Sequence, residues 1–262
     1  VDLSDDAILN GRLRLLQPVR GHRFGHDALL LAAATEARDG EHAVDLGSGV
    51  GAAGLALACR VAALRVTLVE VDPALSELAR KNIIRNGFDA RVDVVTADAT
   101  MAASLASAGL DGGTADHVLM NPPFNDPVRQ SASPDPQRRR AHVAAAAGPQ
   151  DWIASAAHLL KPGGILTLIW RAEDSDAVVA AVGQSFGRVA VRPVIGRAGK
   201  FPVRVLVQGR KDGATDSVKA IRTLPPLYLT NTAGKETPLA EDILRKVAAL
   251  PFVGPEDDVP GT

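Results

Sequence analysis

From Glu41 onward the chain alternates short apolar runs with alanine- and leucine-rich stretches, and this constrains the fold more than any other feature. Strands are expected at 42–46, 64–70, 91–96, 115–120 and 164–170, and helices at 51–60, 73–86, 101–108, 149–160 and 174–186. Strands separated by crossover helices imply a parallel, doubly wound sheet. Lys161-Pro162-Gly163-Gly164 reads as a tight stop between a helix and a strand. Two strands then follow with no helix between them, at 188–195 and 201–207, joined by Gly196–Lys200. That spacing is a hairpin. The fold class is therefore α/β: a doubly wound, mostly parallel seven-stranded sheet whose last hairpin is antiparallel.

The ends read differently. Residues 1–40 form an N-terminal extension, 41–211 the core, and 212–262 a C-terminal segment packing on that core. Gly11–Gln17 alternates polar and apolar side chains as a hairpin arm does. Asp27–Ala37 should be a helix with Asp27 close to its N-cap. Leu224–Leu229 is extended, and Thr237-Pro238 opens a last helix to about Leu250, with threonine as cap and proline in the first turn.

Ala43-Val44-Asp45-Leu46-Gly47-Ser48-Gly49-Val50-Gly51 runs an apolar strand straight into a glycine-rich turn that opens a helix. Glycines there let the backbone approach a ligand and adopt positive φ. Asp45 stands just before the turn, Glu70-Val71 ends the next strand, and Asp98-Ala99 ends the third. Three consecutive strands thus deliver an acid to one sheet edge. Gly49-Val50-Gly51-Ala52-Ala53-Gly54 is also a literal G-x-G-x-x-G, with Glu70 suitably placed for a ribose, so that motif alone would suit an NAD-dependent dehydrogenase. The hairpin end and the next motif argue against it.

That motif is Asn121-Pro122-Pro123-Phe124, directly after the apolar run 115–120. In open α/β sheets ligands bind outside the carboxyl ends of strands. The tetrapeptide resembles the Asn-Pro-Pro-aromatic motif of methyltransferases that alkylate a planar amino nitrogen, such as adenine N6 or a glutamine amide. Its physics is legible directly. The lone pair of a conjugated amino group is delocalised, so the nitrogen must pyramidalise before it attacks a methyl donor. The Asn121 side-chain oxygen and the Pro122 carbonyl can hold its two hydrogens. Proline fixes φ, and a following proline keeps its predecessor extended. Pro123 and Phe124 face the substrate, with the Phe124 ring free to stack on its plane.

With these residues assembled, most of the chain resembles the bacterial tRNA(Val) adenine-N6 methyltransferase family, built on the class I, Rossmann-like methyltransferase fold. Gly21–Leu31, with Asp27 before an apolar helix, is similar to that family's segment preceding the core, and Pro226-Leu227 and Thr237 to its C-terminal segment. The resemblance implies S-adenosyl-L-methionine as cofactor and S-adenosyl-L-homocysteine as product. It carries cofactor contacts onto Asp27, Asp45, Gly47, Gly49, Glu70, Val71, Asp98, Ala99 and Asn121, and catalysis onto Asn121, Pro122 and Phe124. Asp45 would face the cofactor's amino group, Glu70 its ribose hydroxyls and Asp98 its adenine. Family members are often described only as predicted methyltransferases or O-methyltransferases. Methylation of a protein glutamine, or of a small molecule at N or O, is the alternative activity.

The formal net charge of −1 does not mark a nucleic-acid binder, but its distribution matters. Arg12, Arg14, Arg20 and Arg23 lie in a stretch without acids, and Arg138-Arg139-Arg140 follow the Asn-Pro-Pro-Phe motif. Eight basic residues lie between Arg192 and Arg222 against Asp212 and Asp216. These segments either converge on one phosphate-binding surface or are scattered solvated faces. The arginine triplet is the candidate RNA contact, and tRNA or another structured RNA the expected partner. Cys59 is the sole cysteine and His26, His117, His142 and His158 are isolated, so no metal site is expected. The acidic start, Val1–Asp6, lacks the parts of a signal peptide, and the apolar run at 28–35 is too short to span a bilayer, so a cytoplasmic protein without membrane association is expected. Monomer and homodimer stay open.

Overall fold

The computed structural model describes residues 2–20, 23–123, 148–212 and 220–252. Strands β1 (Leu3–Ile8) and β2 (Leu13–Pro18) form a separate antiparallel hairpin, and α1 (His26–Ala34) follows. The core then runs β3 (His42–Leu46), α2 (Ala52–Arg60), β4 (Arg65–Glu70), α3 (Pro73–Arg85), β5 (Val92–Thr96), α4 (Ala102–Ser107) and β6 (Ala115–Met120). After it come α5 (Pro149–Leu159), β7 (Leu160–Arg171), α6 (Ser175–Ser185), β8 (Arg188–Arg197) and β9 (Arg204–Arg210). The described chain closes with β10 (Ala220–Thr223), β11 (Leu227–Thr230) and α7 (Pro238–Lys246).

The sheet order is β8-β9-β7-β6-β3-β4-β5, with β9 antiparallel to both neighbours. This is the expected seven-stranded arrangement, and it is extended. Both β10 and β11 pair in parallel with β8, one after the other along its free edge, making nine strands. Pro225 and Pro226 separate them, because a proline has no N–H to continue the ladder. The 161–164 segment is not a break before the strand but part of β7. There the pairing with β6 shifts register between Ala115↔Leu160 and His117↔Ile165.

Side chains alternate between two cores, one on each face of the sheet. Ala43, Leu68 and Val94 pack under α1, α2 and α3, whereas Val44, Val69 and Met120 pack under α4, α5 and α6. Asp45 shares the face of Ala43 and so meets α2 from below. The β1–β2 hairpin is tied down by Asn82 of α3, which is fully buried. Its side chain accepts from Leu16 N–H at 2.7 Å and donates to the carbonyls of Leu16 and Val50, each at 3.0 Å.

Three local expectations are corrected. The N-cap of α1 is Gly25 without a side-chain cap, because Asp27 is turned toward β9. The second hairpin strand begins at Arg204, since Phe201 and Pro202 remain in the connecting loop. Helix α7 ends at Lys246 because Val247 is left-handed at φ 63°, although Thr237 caps its start as expected.

Candidate active site

The turn after β3 is the geometric centre of the site. The amides of Gly47 and Ser48 both donate to the Val69 carbonyl at 2.9 Å, which pins the turn to the end of β4. Gly47 sits at φ +73°, and a Cβ there would lie 2.8 Å from the Trp152 ring of α5. A Cβ at Gly54 would run into Leu68, so glycine lets α2 settle on the sheet.

The acids before and after this turn are buried. Asp45 is 2% exposed, and its Oδ2 accepts from the Gly54 amide at 2.8 Å. Burial is the main cause pushing its pKa up to about 7; the Gly54 bond opposes the shift and neighbouring Glu70 adds to it. Glu70 accepts from Gly49 N–H at 2.8 Å and from Asp72 N–H at 2.9 Å. Burial raises its pKa too, against these two backbone bonds. Glu70 therefore splints the glycine turn from the neighbouring strand, a role the motif did not reveal. Asp98 stands at the end of β5, where its carboxylate accepts from the Thr100 amide at 2.9 Å and hydroxyl at 2.7 Å.

The raised Asp45 pKa has a definite sign. Between pH 4 and about 7 the folded chain holds a proton at Asp45 that the unfolded chain has lost, so this residue makes stability fall as pH rises. Asp5, Asp6 and Asp116, whose pKa values are lowered, contribute in the opposite sense. Asp45→Asn removes only the first contribution and keeps an acceptor for Gly54. The stability difference between variant and wild type should grow toward neutral pH by up to about 1.4 kcal/mol per unit. Urea unfolding from pH 4.5 to 8 measures it, and a pH-independent difference would refute a protonated Asp45.

A cleft of about 470 Å³ lies above the turn. Asp45, Gly47 and Gly49 line it from the end of β3 and the turn after it, Asn121, Pro122 and Pro123 from the end of β6, and Asp27 from the start of α1. Sequence placed these residues on separate segments, and the fold brings them to one cavity. Glu70, Val71, Asp98 and Ala99 are outside its lining, farther along the same sheet edge, and Glu70 reaches it only through the Gly49 amide. Phe124 and Arg138, Arg139 and Arg140 lie outside the described residues.

Other lining residues carried no local sequence signal. Arg204, at the start of β9, lines the cleft and pairs with Asp27 at 2.8 Å, joining residues 177 positions apart. Ser48 also lines it, and its hydroxyl oxygen is buried without a hydrogen-bond partner among the described residues. Of the basic segments, Arg23 borders the cleft and Arg197 ends β8 at the same edge. Arg188 and Arg210 are register partners at the opposite end of the hairpin, and Arg14 is bound to Asp5, so the described members of these segments converge only in part.

His117 is a packed residue of β6. It is buried at the far end of β6 from Asn121 and bonded to Glu41 at 2.9 Å. Among the described residues no cluster of three or more His, Cys, Asp or Glu could hold a metal ion, and no helix is long and apolar enough to cross a membrane.

Comparison with known proteins agrees with this geometry. The profile of the methyltransferase small domain matches residues 24–203. A tRNA1(Val) (adenine(37)-N6)-methyltransferase of Bacteroides fragilis is 27% identical over 224 residues, covering 85% of this chain and 84% of that protein. A release factor glutamine methyltransferase of Chlorobaculum tepidum is 30% identical over 168 residues, covering 62% of this chain and only 56% of that protein. The crystal structure of a predicted O-methyltransferase, protein Atu636 from Agrobacterium tumefaciens, superimposes with a TM-score of 0.70 at 31% identity, covering 86% of this chain and 98% of that one. These matches set aside the dehydrogenase reading of the glycine motif. With a glycine turn, an Asn-Pro-Pro cleft and an antiparallel β9, the chain belongs to the methyltransferase small domain family, on the class I methyltransferase fold.

Proposed function

We propose that this chain transfers a methyl group from S-adenosylmethionine to the N6 amino group of an adenine in tRNA. The observation that carries the reading is the shared cleft: Asn121, Pro122 and Pro123 line the same cavity as the glycine turn. A planar-amine motif and a cofactor turn are useful together only if they face one space.

The residues present fit the cofactor. The turn offers a backbone cradle, Asp45 an acid for an ammonium, and Ser48 a buried hydroxyl without a partner among the described residues. Asp27, Asp45, Gly47 and Gly49 would hold the methionyl end, Glu70 with Val71 the ribose, and Asp98 with Ala99 the adenine. When bound, S-adenosylmethionine supplies an electrophilic methyl group on sulfur. The protein's own task is positioning. Asn121 follows β6 directly, and buried Pro122 fixes the backbone beside it. The Asn121 side-chain oxygen and the Pro122 carbonyl accept the two amino hydrogens and turn the nitrogen lone pair toward the methyl group. The nitrogen, once methylated, would release its proton to water. Orientation of this kind can supply roughly 7–11 kcal/mol of the barrier. Phe124 and Arg138–Arg140 are proposed substrate contacts, the ring stacking on the base and the triplet binding phosphates. On this reading the protein works in the cytoplasm, where tRNA is.

A second acceptor, a protein glutamine, is supported by the 30% identity to a release factor glutamine methyltransferase and by the same planar-amide geometry. The acceptor is tested by incubating the protein with labelled S-adenosylmethionine and either unmodified total tRNA or release factor, then digesting to nucleosides or amino acids. Labelled N6-methyladenosine is the expected product. Labelled methylglutamine with no labelled nucleoside would replace the RNA reading by the protein one.

A further inference from the structure

The loop joining β8 and β9 holds Phe201 almost wholly in solvent, at 91% exposure. A lone exposed apolar side chain is ordinary. This one is distinguished by how it is held and where. The loop is braced at both ends: Ala198 N–H donates to Thr230 O at 2.9 Å, and Val203 N–H to Val194 O at 2.9 Å. Its tip is closed by Lys200 N–H on Arg197 O at 3.0 Å, with Gly199 at φ +83°. Pro202 stiffens the backbone directly after the ring. Phe201 is thus presented on a fixed hairpin tip.

The location follows from topology. Strand β9 is antiparallel to β7, with Arg204 opposite Arg171, so the loop emerges at the carboxyl edge of the parallel strands. Arg204, three residues after Phe201, lines the cleft that also contains Asn121. Residues 197–204 include Arg197, Lys200 and Arg204 and no acid. The Arg197 guanidinium is anchored on the Thr232 carbonyl, bracing the hairpin against the loop after β11, which carries exposed Lys235.

We infer that this hairpin tip is a stacking platform for a base next to the methylated one, in single-stranded RNA, with Lys200, Arg197 and Lys235 facing its phosphates. The inference rests on the RNA reading above. A target base that leaves its stack to reach Asn121 exposes the faces of its neighbours. A rigid aromatic ring beside cations is the surface that unstacked nucleotides bind.

The test uses an RNA stem-loop with an adenine in the loop and 2-aminopurine beside it. The wild-type protein should methylate the adenine and quench the 2-aminopurine on binding. Phe201→Ala should lose the quenching and weaken RNA affinity about tenfold or more. Affinity for S-adenosylmethionine and the melting temperature should be unchanged, since the ring touches neither cofactor turn nor core. Phe201→Trp should restore quenching. Lys200→Ala should lower the slope of log affinity against log salt by about 0.7. Quenching and affinity in Phe201→Ala equal to wild type would overturn the platform while leaving the RNA reading intact. A wild type that neither binds nor methylates RNA would remove that reading, and this surface with it.

Discussion

Asn121→Ala is expected to lower turnover by about 10²–10³-fold, the usual consequence of losing one preorganised hydrogen-bonding group in a closed site. Binding of S-adenosylmethionine should change little, because the proposed cradle is the turn after β3 with the acids beside it. The side chain leaves the end of β6 at a point where Met120 is locked between β3 and β7 and Pro122 is buried. Truncation therefore removes an acceptor without freeing the backbone. Asn121→Asp is the informative companion. It keeps an acceptor but adds a charge to a half-buried position, so it should retain more turnover than alanine and become sensitive to pH. Single-turnover kinetics with saturating cofactor separates the chemical step from binding. Alanine turnover equal to wild type would mean the amino group is not held by Asn121, and the planar-amine mechanism would fail.

The legible parts of this molecule were those with short-range chemistry. Strands β3 and β6 and helix α3 were readable because their apolar runs end in a glycine turn, in Asn-Pro-Pro, or begin at Asp72-Pro73, where Asp72 caps Ala74 N–H at 2.8 Å. Asp45 and Asn121 were readable because each abuts such a punctuation mark. What escaped was set by return paths of the chain. Arg204 meets Asp27 only because β9 runs antiparallel and therefore starts at the edge from which α1 departs. Asn82 reaches β2 and Val50 from the middle of a helix, with nothing local to distinguish it from a solvated asparagine. Of the two added strands, β11 overlaps the expected extended segment Leu224–Leu229, while β10 precedes it in a stretch where no strand was expected. Asp98 shows the reverse case. Its position at the sheet edge was anticipated, but not that Thr100 in its own turn takes one carboxylate oxygen, Oδ1, twice.

Glu70→Ala should be the more damaging change for cofactor binding, and for two separable reasons. The carboxylate holds the part-buried Gly49 and Asp72 amides, and each one left without an acceptor costs up to about 1–3 kcal/mol. The melting temperature should therefore fall even without ligand. If the same carboxylate also accepts ribose hydroxyls, each hydrogen bond to a charged acceptor adds about 1.5–3 kcal/mol, so affinity for S-adenosylhomocysteine should drop by about 10²-fold or more. A deoxy analogue of the ligand separates the two effects. Wild type should bind the 2′-deoxy form less tightly than the natural one, whereas Glu70→Ala should no longer distinguish them. Calorimetry on the four combinations gives the coupling directly. A variant that discriminates the two ligands as well as wild type does would leave Glu70 as a splint for the glycine turn alone, and the ribose would have to be held from elsewhere on the sheet edge.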